Sequence, residues 1–147
     1  MLTINRLSLG EAQVLVEGAR DKSNEIGIPM CIAVSDESGN LIAFERMDGG
    51  KISSISIAID KAFTAAVARK GTHVYNDLCV PGEPTFGIHV SNGGHFCVIG
   101  GGLPVYVEDE IVGGIGISSG TAAEDLVVAE AAVGYFDAWR SSVDGSS

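Results

Sequence analysis

The tetrapeptide Glu37-Ser38-Gly39-Asn40 separates two short runs with strand character, residues 29–36 and Leu41–Arg46. Parallel strands need a crossover of about a dozen residues or more, so a four-residue connection makes these runs an antiparallel hairpin, with Ile32 and Val34 sharing one face. Asp109-Glu110 imposes the same arrangement on residues 103–108 and 111–117. Two hairpins of this kind point to an antiparallel sheet.

Helices account for most of the rest. Ser8-Leu9-Gly10-Glu11 has S-x-x-E spacing, in which the serine and the glutamate satisfy each other's free backbone N–H groups, and Ala12, Leu15, Val16 and Ala19 follow at helical intervals. This predicts a helix over 8–25, ended by Gly27. Ile52, Ile55, Ala58, Ile59, Ala62, Phe63, Ala66 and Val67 recur every three or four residues and predict a second helix up to Lys70, ended by Gly71. Thr121 and Glu124 repeat the capping spacing before an apolar stripe from Leu126 to Trp139, a third helix.

Between the second helix and the last hairpin, Pro81 and Pro84 exclude a long regular element from 72–87, leaving room for a short helix at 74–79. Residues Ile88–Val90 and 96–99 read as further short strands about an Asn92-Gly93 turn. The order helix, hairpin, helix, loop, strands, helix predicts an α+β fold, an antiparallel sheet flanked by helices, in one domain spanning residues 1–147.

Charge narrows the partners. Asp and Glu number 19 against 9 Lys and Arg, a formal net charge of −10, which repels nucleic acid and anionic membranes over most of the surface. The opening MLTINRLSLGEAQ has no apolar signal-peptide core, and the apolar runs fall well short of about 18 residues, so a cytoplasmic protein with no membrane or nucleic-acid partner is expected. Cys31, Cys79 and Cys97 are odd in number and form no C-x-x-C pair, which fits reduced thiols and signals neither a disulfide framework nor a zinc knuckle.

The chemistry-bearing residues cluster late. In FGIHVSNGGHFCVIGGG, a two-residue turn at Asn92-Gly93 would put His89 and His95 on opposite faces of a hairpin, so no protein-only metal site is expected. Gly100-Gly101-Gly102 lacks the P-loop pattern. It reads either as a place where a flat ligand or a second backbone lies close, or as a bulged strand connection. Lys61, amid Ile57, Ala58, Ala62 and Ala65, either snorkels outward, the expected placement, or sits in a pocket mouth. His73 either complements the dipole at the end of the second helix or ligates a haem iron. No nucleophile elbow or convergent carboxylate pair is visible.

Three signatures, in order, carry a family resemblance: D-x-x-G-x-L-x-x-x-x-R-M-D from Asp36 to Asp48, K-A-x-T-A from Lys61 to Ala65, and G-G-G-L-P from Gly100 followed by G-x-I-G-I-S from Gly113. In these the chain resembles the GlcG/HbpS family, which includes the C-terminal domain of PduO-type proteins, and its K-G-T-H segment is similar to OrfY-type members. The resemblance implies a profilin-like or Roadblock-like fold, homo-oligomers, and a link to glycolate, diol or glycerol utilisation; some members bind haem. By motif it points to Lys61, His73 and Gly100 to Pro104.

Together these readings predict a small-molecule binding protein, with haem or another tetrapyrrole as guest and Lys61, His73, His89, His95, Gly100, Gly101 and Gly102 at the pocket. Two other readings stay open. One is an enzyme for a small hydroxy- or oxo-acid, with Lys61 binding the carboxylate and His89 or His95 moving a proton. The other is a non-catalytic oligomeric scaffold.

Overall fold

The computed structural model describes residues 1–145. Its elements, in chain order, are α1 (Leu9–Ile26), β1 (Cys31–Asp36), β2 (Leu41–Arg46), α2 (Ser54–Ala68), β3 (Gly102–Val107), β4 (Glu110–Ser118) and α3 (Ala122–Val143). The four strands form one antiparallel sheet in the order β2-β1-β4-β3, an α+β fold.

Local chemistry sets the helix boundaries. Ser8 caps α1 and Thr121 caps α3, each with the reciprocal bond from Glu11 or Glu124. Gly27, at φ 73°, closes α1 in the left-handed region that glycine enters at little steric cost. The second helix stops earlier than Gly71, because Arg69 takes a left-handed conformation at φ 63°.

Strand alternation divides the core into two layers. Ile32 and Val34 of β1, with Ile115 and Ile117 of β4, face α1 and α3 and pack with Leu15, Ala19, Val128 and Phe136. Each large apolar side chain buried in this way contributes about 1.5–3 kcal/mol. On the opposite face Cys31 and Ala33 meet Ala58 and Ala62 of α2.

That second layer is thin because both partners are small. A Cβ built on Gly116 would collide with Ala58 O and lie 2.5 Å from Ala62 N, and one on Gly114 would collide with Ala62 O. Gly114 and Gly116 of β4 and Ala58, Ala62 and Ala66 of α2 are therefore two sides of one seam, where helix backbone rests directly on sheet backbone.

Residues 72–100 depart from expectation. The expected short helix at 74–79 is a 3₁₀ turn at Thr72–Tyr75. The expected strands do not form: Ile88–Val90 is a 3₁₀ turn, residues 96–99 are irregular, and the Asn92-Gly93 hairpin is replaced by a 3₁₀ turn at Asn92–Gly94. Gly87, Gly93 and Gly94 all adopt positive φ, which breaks strand geometry. Side chains take the place of a ladder: the Cys97 N–H donates to Thr64 Oγ1 at 2.8 Å, and the Gly102 N–H donates to Thr72 Oγ1 at 2.9 Å.

Candidate functional site

Lys61 lies on the sheet-facing side of α2, and the closeness of that seam decides its fate. Its side chain is only 1% exposed, so the outward, solvated placement is overturned. Nζ donates to Ile117 O at 2.8 Å and to Asp125 Oδ2 at 2.9 Å, while Asp125 Oδ1 accepts the Gly120 N–H at 3.0 Å. Burial pushes the Asp125 carboxyl above its ordinary range, an effect partly offset by the bond and charge of Lys61 and by the Gly120 N–H.

The glycine run closes over this pair. Gly101 adopts φ +122°, and a Cβ there would lie 2.7 Å from Asp125 Cβ and Ile117 O and 2.9 Å from Lys61 Nζ. A Cβ on Gly102 would lie 2.6 Å from Lys61 O, and one on Gly100 would lie 3.1 Å from His73 Cβ. Lys61, His73 and Gly100–Gly102 lie close together, and the chain's own atoms fill the space between them. Of the two readings of the glycines, close approach is the observed one, and what approaches is the protein itself.

The three histidines stay exposed and have separate neighbours. His73 packs its ring over Gly71 beside Gly100. His89 Nδ1 lies 3.1 Å from Cys79 Sγ, with the Phe86 ring 6.3 Å away. His95 Nδ1 lies 2.8 Å from Asp60 Oδ1, and its side chain is 65% exposed. With no hairpin between them, His89 and His95 do not sit on opposite faces of a sheet; each belongs to a different turn. Among the described residues no group of three or more His, Cys, Asp or Glu is placed to hold a metal ion.

Asp60 and Asp125 escape the sequence reading. Asp60 stands one position before Lys61 on α2, at a helical step from Thr64, whose hydroxyl donates to Asp60 O and His95 O. Asp125 looks like an ordinary first-turn acid beside the capping Glu124, and nothing in its neighbourhood names a partner in another helix. The alanines around Lys61 were the available sign that its face is buried.

A separate cavity of about 680 Å³ is lined by Arg20, Pro29, Glu45, Arg46, Met47 and Asp48 with neighbouring residues of α1, and so collects the R-M-D signature. Its Arg20 is already engaged by Glu45 in a bidentate pair at 2.7 and 2.9 Å. The cavity contains no histidine or cysteine.

The model of the family described as haem degrading protein HbpS-like matches residues 7–134. The chain belongs to the HbpS-like family. Within it, the chain is 34% identical over 133 residues to an uncharacterized 15.0 kDa protein in the dhaT-dhaS intergenic region of Citrobacter freundii, a match covering 90% of this chain and 94% of that one. The crystal structure of Klebsiella pneumoniae ORFY is similar with a TM-score of 0.92 at 30% identity, covering 94% of this chain and 95% of that chain. The crystal structure of a PduOC:heme complex is similar with a TM-score of 0.84 at 26% identity, covering 88% and 94%. The HbpS-like fold thus extends over both layers of the sheet and the 72–100 excursion.

Proposed function

We propose that the chain is a ligand-binding protein whose guest is haem or a related flat tetrapyrrole, held at residues 72–100 with His95 as the iron ligand. One observation carries the reading: Asp60 Oδ1 engages His95 Nδ1 on an imidazole that is otherwise largely exposed. A carboxylate on one ring nitrogen fixes the tautomer and orientation, raises the basicity of the other nitrogen and leaves that nitrogen for a metal. The same segment exposes Val74, Val80, Phe86, Val90 and Ile99, apolar surface suited to a porphyrin. The likeness to a PduOC:heme complex supports the same guest.

In this reading His73 and His89 flank the guest, while Lys61 and Gly100–Gly102 form the packed floor beneath the segment. Bound haem would supply a redox-active iron; the protein's part is to supply the oriented imidazole and the apolar surface. The reading extends to a homo-oligomer in the cytoplasm with a role near small-diol metabolism. Its supports are the exposed Val127, Tyr135 and Val143 on α3, the three free cysteines, and the similarity to a protein of the dhaT-dhaS region. The hydroxy-acid enzyme reading is set aside, because the ammonium meant for the substrate carboxylate is buried against Asp125.

Titration of the purified chain with haemin tests the proposal. A shifted Soret band is expected for the wild type, retained in His73→Ala and His89→Ala and lost in His95→Ala. Identical spectra for wild type and His95→Ala would remove His95 as the ligand. Absence of any Soret shift would remove the haem reading.

A further inference from the structure

One pair of reactive side chains has no part in the packed core, and only its histidine borders the proposed haem site. Cys79 Sγ and His89 Nδ1 lie 3.1 Å apart across ten residues of chain, on a half-buried thiol and an exposed imidazole. Three contacts hold the pair: the Cys79 N–H donates to Tyr75 O at 2.9 Å, Thr85 Oγ1 donates to Leu78 O at 2.5 Å, and the Phe86 ring stands against the imidazole. A thiol with a base in hydrogen-bond reach is the pairing from which an activated nucleophile is built. The other two thiols lack a histidine partner: Cys31 is buried and bonds Lys51 O, and burial pushes the Cys97 thiol up.

We propose that Cys79 and His89 form a nucleophilic dyad that adds to small uncharged α,β-unsaturated carbonyl compounds. In the step, His89 Nδ1 takes the thiol proton as Sγ bonds to the β-carbon of the acceptor. The C=C electron pair moves toward the carbonyl as an enolate, and the α-carbon recovers the proton from the imidazolium. The product is a thioether, formed without oxidant, reductant or leaving group. An uncharged acceptor is specified because a chain with 19 acidic and 9 basic side chains disfavours anionic ones.

Acrylamide is the probe, with the full-length purified chain and peptide mass spectrometry to follow each cysteine separately. At pH 7 Cys79 should react faster than Cys97 and faster than free N-acetylcysteine. His89→Gln should slow Cys79 about tenfold while leaving Cys97 unchanged, and the gap should close in strongly alkaline buffer, where hydroxide takes the proton in place of the imidazole. An unchanged Cys79 rate in His89→Gln overturns the proposal. So does an equal loss at Cys79 and Cys97 that persists at high pH, because that pattern assigns the effect to disturbed packing. Haem is absent throughout, so the result stands apart from the Soret titration.

Discussion

Lys61 Nζ and Asp125 Oδ2 meet 2.9 Å apart, with both side chains withdrawn from solvent, and tie α2 to α3 near the end of the inner strand β4, whose Ile117 O also accepts from Nζ. Removing one partner of a buried ion pair strands the other charge. Lys61→Met should therefore lower stability by about 3–5 kcal/mol in urea denaturation. Lys61→Met combined with Asp125→Asn should recover more than half of that loss, because the stranded carboxylate is gone while an amide oxygen remains for the Gly120 N–H.

Titration of the same carboxyl sets a pH dependence. Burial holds the folded-state value of Asp125 above the ordinary 3.8, so the folded chain binds this proton more tightly than the unfolded chain. Stability then falls as pH rises from the ordinary value through the folded one. Measured against Asp125→Asn across the acid range, the wild type should lose ground with rising pH. Because Lys61 pulls the value down, the window should widen in Lys61→Met, and the penalty of that substitution should shrink toward low pH. A pH-independent difference between wild type and Asp125→Asn would contradict this.

Two glycines at positive φ should respond differently to alanine. Gly101, at φ +122°, has Asp125, Ile117 and Lys61 within 3 Å of an added Cβ, whereas Gly87, at φ +97°, has nothing within 4 Å. Gly101→Ala should cost about 3 kcal/mol or more, combining overpacking with strain; Gly87→Ala should cost about 1 kcal/mol from conformation alone. Thermal and urea unfolding would rank the two.

Asp60→Asn tests the orienting role assigned to the carboxylate. An amide can still bond the imidazole but supplies no charge. Haem affinity should drop by about 10- to 100-fold while the Soret position stays that of a ligated iron. Loss of ligation altogether, or unchanged affinity, would count against Asp60 as the group that orients His95.

The hairpins and helices were legible because their signals are local: a short turn forces antiparallel pairing, and a capping box marks a helix start within four residues. The 72–100 segment was not, because its apolar and β-branched residues carry strand propensity, and what prevents strands is partly the positive φ of its own glycines and partly side chains that replace a ladder. Thr64 on α2 and Thr72 satisfy the backbone of Cys97, Ile99 and Gly102 in place of a neighbouring strand. Lys61 failed for a related reason. Its partner lies 64 residues onward, and the seam that turns it inward, where a Cβ on Gly116 would lie 2.9 Å from Lys61 Cβ, is a contact between distant elements.

The excursion from Thr72 to Gly100 leaves the body of the protein at the close of α2 and rejoins it where Gly101 drops over the lysine. Thr64 and Asp60 of α2 hold it at residues 95–97 and Thr72 holds it at its close, so the stretch from Cys79 to Gly94 lies outside those fastenings. A framework built this way lets that stretch act as an exchangeable faceplate: its side chains can be replaced while the chassis behind them keeps its shape.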